Sequence, residues 1–164
     1  MKLLSIILVL IPIVAFANPF NQFEGNYEVS SEPMITNSDA AECERFAFDR
    51  LTEVRVRKGD YGFKNTHVVS VVRGVMWSTL PIAEYRRELG VMQPDSIISY
   101  AKTTGDDTSA TNERGFITPS RYQKFIITMT KTDAGYSMQM TEKSKTDRQR
   151  SESSCVYDLD LNRI

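Results

Sequence analysis

The strongest constraint on what this chain can become is a period of two. Between positions 23 and 30, Phe23, Gly25, Tyr27 and Val29 fall on one side, and Glu24, Asn26, Glu28 and Ser30 on the other. Successive side chains of an extended backbone point to opposite faces, so this pattern predicts a strand with one buried and one wet face. The alternation returns at the far end, where Cys155, Tyr157, Leu159 and Leu161 interleave with Val156, Asp158 and Asp160. Both ends of the chain therefore ask for a place in a half-buried antiparallel sheet.

The middle follows the same rule. Phe125, Ile127 and Met129 alternate with Ile126, Thr128 and Thr130, and after Asp133-Ala134-Gly135 the pattern resumes as Tyr136, Met138 and Met140. A glycine closing a short polar tip predicts a hairpin with both apolar sets on one side. Residues 46–57 are β-branched and aromatic and end at a Lys58-Gly59-Asp60 turn. Residues 61–73 place Phe63, His67, Val69 and Val71 in phase. Residues 97–102 and 114–118 predict a strand pair, joined through 103–113, whose hydrophilic composition predicts a long exposed loop. Residues 81–89 carry the only helical spacing, and 31–42 are expected to be loop. About seven to nine strands with at most one short helix give an all-β antiparallel meander. Neighbouring first and last strands favour closure into a barrel, since closure removes sheet edges; a β-sandwich is the alternative.

The N-terminus has a different character. Met1-Lys2, an apolar run over 3–14 and Ala15-Phe16-Ala17 have the order of a cleavable secretory signal, with the cut before Asn18. The apolar run falls short of the roughly 20 residues a spanning helix needs. Residues 18–164 are then expected as one soluble domain, periplasmic or secreted. The net charge of −1 favours neither nucleic acid nor an anionic membrane. The one basic cluster, 143–150, is interrupted by Asp147 and reads as a solvated strand end. The two cysteines, Cys43 and Cys155, are expected to form a disulfide in an oxidising compartment, closing a loop of roughly a hundred residues.

Phe23-Glu24-Gly25-Asn26-Tyr27 resembles the opening motif of the lipocalins and related small barrels, where a glycine is followed two residues later by an aromatic on the first strand. The resemblance implies that Tyr27 takes the place of the family's tryptophan at the closed end, with Arg163 as its basic partner. It also implies an apolar ligand cavity inside the barrel.

The chemistry-bearing residues point away from catalysis. His67 is the only histidine, in phase with valines, and reads as a hydrogen-bonded structural side chain. One histidine and two paired cysteines leave no histidine or thiolate metal site, and Asp106-Asp107 with Asn112 and Glu113 match no calcium loop. Glu24 and Glu28 read as solubilising groups on the outer face. No cofactor is expected. Tyr27, Trp77, Phe125, Met129, Tyr136, Met138, Met140 and Tyr157 form a soft, aromatic set that lines a ligand cavity or fills a core. The expected function is non-enzymatic binding of a small apolar ligand. The alternative is a protein-interaction module, an inhibitor or envelope assembly partner, that uses 103–113 or 143–150 as its contact surface.

Overall fold

The computed structural model describes residues 18–37, 51–58, 67–73, 76–82, 85–92, 95–148 and 150–164, without the side chains of 68 and 73–97. The signal segment 1–17, Cys43, Phe63, the Gly59-Asp60 turn, the predicted strand before residue 51 and the Trp77 side chain lie outside the described residues. A 3-10 turn, Pro19–Phe23, precedes eleven strands: β1 (Gly25–Val29), β2 (Met34–Asn37), β3 (Glu53–Lys58), β4 (His67–Arg73), β5 (Met76–Ile82), β6 (Tyr85–Met92), β7 (Asp95–Gly105), β8 (Ser109–Thr118), β9 (Arg121–Thr132), β10 (Gly135–Thr146) and β11 (Ser153–Arg163). All ladders are antiparallel, in the order β5-β4-β3-β1-β11-β10-β9-β8-β7-β6, and the sheet curls into a half-barrel.

The first and last strands are neighbours: Tyr27 faces Arg163 and Val29 faces Leu161. β2 also pairs with β11, Met34 opposite Asp158. Between Val29 and Met34 the chain advances five residues while β11 advances three, so β1 and β2 form one strand interrupted by a bulge. Pro33, which has no N–H to give a ladder, lies in that interruption. Part of the expected 31–42 loop is therefore strand. The β9–β10 hairpin has the predicted form: Thr132 pairs with Gly135 across Asp133-Ala134, and Gly135 takes a φ of +142° that a side chain would disfavour.

Two other expectations are corrected. Within the expected helix 81–89, residues 81–82 are the end of β5 and residues 85–89 belong to β6. Pro81 belongs to β5, at one end of the described sheet, where a missing N–H interrupts no second ladder. Residues 103–113 are not an exposed loop: β7 runs to Gly105, β8 begins at Ser109, and only a tight tip remains. There the Asp106 carboxylate accepts from Thr108 N and Ser109 N at 2.7 and 2.8 Å. The strands not expected are β2, β5 and β6, which is why seven to nine were expected and eleven are found among the described residues.

The core fills the concave side. Phe20, Phe23, Tyr27, Val54, Val56, Val69, Val71, Ala110, Ile127, Met129, Met138, Met140, Leu159 and Leu161 are buried there together. These are the inward positions of alternating strands, and their burial is what fixes the register, because a slip of one residue would expose every one of them.

Candidate functional site

One end of the half-barrel is floored by the 3-10 turn. Asn18 starts it, its side chain accepting from Phe20 N at 2.9 Å, and Pro19 suits the first turn because its ring presets φ. Phe20 and Phe23 face inward, fully buried. Phe23 meets the Tyr136 ring edge-on at 6.2 Å, and Tyr136 meets Tyr27 at 5.2 Å. The Tyr27 hydroxyl donates to the Phe23 carbonyl at 2.7 Å.

The turn is anchored on both flanks. Towards β3 and β4, Glu24 lies 2.9 Å from His67 Nε2 and 3.5 Å from Lys58. Towards the β7–β8 tip, Gln22 donates to the Asp106 carbonyl, and a Cβ on Gly105 would lie 2.7 Å from Pro19 Cβ. Glu24, expected as a solubilising surface group, is thus a structural contact. Its carboxyl is held below its usual range, chiefly by the hydrogen bond from His67 and then by Lys58, against the opposing effect of burial. Arg163 lies across Gly25, with its guanidinium nitrogen 2.9 Å from where a Cβ would stand, and donates to the Glu24 carbonyl. The Tyr136 hydroxyl, foremost, and Tyr27 hold the Arg163 charge more firmly than usual. Tyr27, sealed from water, has its hydroxyl pushed up to about 12 by burial.

Above this floor the concave face becomes steadily more polar. The level of Met129, Ala110, Met138 and Leu159 is wholly apolar. At the next level Ile127, Met140 and Tyr157 are joined by Asn112 and Thr103, all buried. One level higher Phe125 aligns with Arg114 and Glu142, all half-buried, and Arg114 Cζ sits 5.5 Å from the centre of the Phe125 ring. Above them Glu142 accepts from Gln123 at 2.8 Å, and Phe116, opposite Gln123, is 38% exposed.

No protein-family model, curated protein or solved structure matches this chain.

The site is therefore judged on its own geometry. The structure brings Tyr27, Phe125, Met129, Tyr136, Met138, Met140 and Tyr157 onto one face. Tyr27, Met129, Met138, Met140 and Tyr157 are packed solid, at most 1% exposed, whereas Phe125 and Tyr136 keep some open surface. Of these two, Phe125 alone stands above the floor, so open concave surface begins at its level. Sequence reasoning missed Thr103, Asn112, Arg114, Gln123 and Glu142. Their signal was available as parity: Asn112 and Arg114 are two and four residues beyond Ala110, hence on the same face.

The remaining groups are dispersed. Asp106 caps its own turn, Asn112 points inward, and Glu113 points outward to Tyr100 at 2.5 Å and Lys124 at 3.3 Å, so these side chains converge on no common point. Burial and the Glu113 bond raise the Tyr100 hydroxyl to about 12. Lys143, in the basic cluster, lies 3.3 Å from Glu152. On the wet face of β9–β11, a groove of about 560 Å³ carries Glu32, Asp158, Asp160, Thr130 and the exposed Met34.

Proposed function

We propose that the protein is an exported binding protein, without catalytic activity of its own, that holds a small and largely apolar ligand in the upper half of a lipocalin-like barrel. The single observation that carries this reading is the graded concave face: a floor packed to exclusion of water, then a buried polar pair, then the half-buried Arg114, Phe125 and Glu142. A face built only as core would stay apolar to its end, whereas binding pockets combine apolar walls with a few placed polar groups. The ligand would touch Phe125 and the upper sides of Met140 and Tyr157, with Tyr27, Met129 and Met138 serving as its support.

The floor favours the lipocalin likeness. Arg163 on the last strand stands opposite Tyr27, which fits the basic partner the resemblance implies for that aromatic. In this reading β5 and β6, consecutive in the chain and at opposite ends of the described sheet, meet and close the barrel. Residues 1–17 are removed on export. In this reading Cys155, buried on β11 at the level of Glu142, is bridged to Cys43.

Native mass spectrometry of the mature protein, purified from its own host before and after extraction with organic solvent, tests the reading. The expected result is an adduct of a few hundred daltons that extraction removes. Identical apo masses from every preparation, together with no uptake of added lipophiles, would sink it.

A further inference from the structure

We propose that the ligand of this face carries a hydrogen-bond donor, a hydroxyl or an amide N–H, and that the carbonyl oxygen of Asn112 receives it. The inference rests on the binding reading above and sharpens it to a class: a compact apolar molecule that enters donor end first.

Asn112 is 1% exposed, at the middle of β8, and its register neighbours across the concave face are Ile127, Met140 and Tyr157. Its Nδ2 donates to Thr103 Oγ1 at 3.0 Å and reaches the Lys102 carbonyl at 3.4 Å. Its Oδ1 is buried and has no hydrogen-bond partner among the described residues. Buried polar atoms are almost always satisfied, so an orphaned acceptor at this level calls for an explanation. Leucine has the same branched skeleton of heavy atoms and would bury no orphaned carbonyl, losing only the bond to Thr103 Oγ1, so an unpaired oxygen at this position is not explained by packing.

The sign of the missing partner follows from the amide's orientation. Turning the amide over would set Oδ1 against the Lys102 carbonyl, acceptor facing acceptor, so Nδ2 belongs on that side and Oδ1 faces the interior. A carbonyl oxygen only accepts. The partner must therefore donate, which excludes ethers, esters and carboxylates as the group that reaches it.

The level above Asn112 is less buried. Arg114, two residues further along the same face, and Phe125 beside it form the next level up and are half-buried. Their contact is a guanidinium against the face of a ring, a pairing a flat apolar ligand reproduces by sliding between them. A donor at the leading end of such a ligand arrives at the level of Asn112.

The test compares two probes that share one ring system, one with an O–H donor and one with that hydrogen replaced by a methyl group. Titration calorimetry of the mature protein with 2-naphthol and with 2-methoxynaphthalene is expected to give at least about tenfold tighter binding of the naphthol, since a site built to bond a hydroxyl rejects the analogue that lacks its hydrogen. Asn112→Leu, which removes the accepting oxygen, is expected to bring the two affinities level. Equal affinity of the wild-type protein for both probes overturns the inference and leaves the binding function standing; a buried water already satisfying Oδ1 would give this result. No binding of either probe overturns both. Should Asn112→Leu fail to fold, the wild-type comparison decides alone.

Discussion

Tyr27 gives the floor its closure through one hydroxyl. It is completely buried and donates to the Phe23 carbonyl, so Tyr27→Phe leaves a main-chain acceptor unpaired in an apolar place. Such a loss costs about 1–3 kcal/mol, and urea unfolding of the variant is expected to show it with an unchanged slope. Glu24 makes the corresponding argument for pH. Its carboxyl is depressed in the folded protein, foremost by the bond from His67, so folding favours the charged form. The stabilisation is complete above the ordinary carboxyl range and is lost as pH falls through the lowered folded value. Wild-type stability is therefore expected to drop below about pH 4.5 by an amount that Glu24→Gln, with no charge to lose, does not repeat. Parallel acid titrations of the two proteins that superimpose would contradict this role for the carboxylate.

Among the elements, the β7–β8 hairpin is the one whose sequence misleads most and whose position matters most. Thr103, Thr104, Asp106, Asp107 and Asn112 make it look like a loop, because apolar alternation is the signal for a strand and here the inward positions are Thr103, Gly105, Ala110 and Asn112. The polar inward residues bond each other, which hides their burial from composition. The β9–β10 hairpin was legible down to its turn because methionine, isoleucine and phenylalanine mark its inward positions. β1 and β11 were legible for the same reason, whereas the place of Arg163 opposite Tyr27 was offered only by the lipocalin resemblance. What the sequence could not offer was the level of each residue along the barrel. That depends on the register between strands, and it separates the packed floor from the half-open mouth. The hairpin also supports the 3-10 turn: Gly105 is where Pro19 makes its close approach, and an added side chain would strike Pro19 Cβ and the Ser109 carbonyl. Gly105→Val is expected to lift the turn from the sheet and destabilise the protein by about 2 kcal/mol, as overpacking of a close backbone contact does. Hydrogen exchange localises the effect: the amides of Asn21 and Glu24, bonded to the carbonyls of Asn18 and Asn21, should lose protection before those of β9 and β10.

For the whole molecule the decisive matter is what happens where the described sheet runs out. β5 bonds to β4 on one side and β6 bonds to β7 on the other, and the chain joins β5 to β6 directly, so the two ends of the sheet are also consecutive in sequence. Strand edges left open expose a row of unpaired N–H groups that invite other chains, and Pro81 blunts only one position of β5. The 3-10 turn already bridges the two flanks, touching His67 on β4 through Glu24 and the β7–β8 tip through Gln22, which holds the sheet's ends on the same side of the core. Closure through a β5–β6 hairpin would finish what that bridge begins. In a closed barrel every amide of β5 and β6 has a ladder partner, whereas in an open half-barrel alternate amides of each strand face water. Residue-resolved hydrogen exchange of the mature protein distinguishes the two. The closed form is expected to protect consecutive amides from Trp77 to Leu80 and from Arg86 to Glu88, and an alternating pattern of fast and slow amides over the same positions would establish an open sheet instead. That outcome would also count against the proposed ligand binding, because a half-barrel open along its length offers water the same access to Phe125 and Arg114 that it offers a ligand.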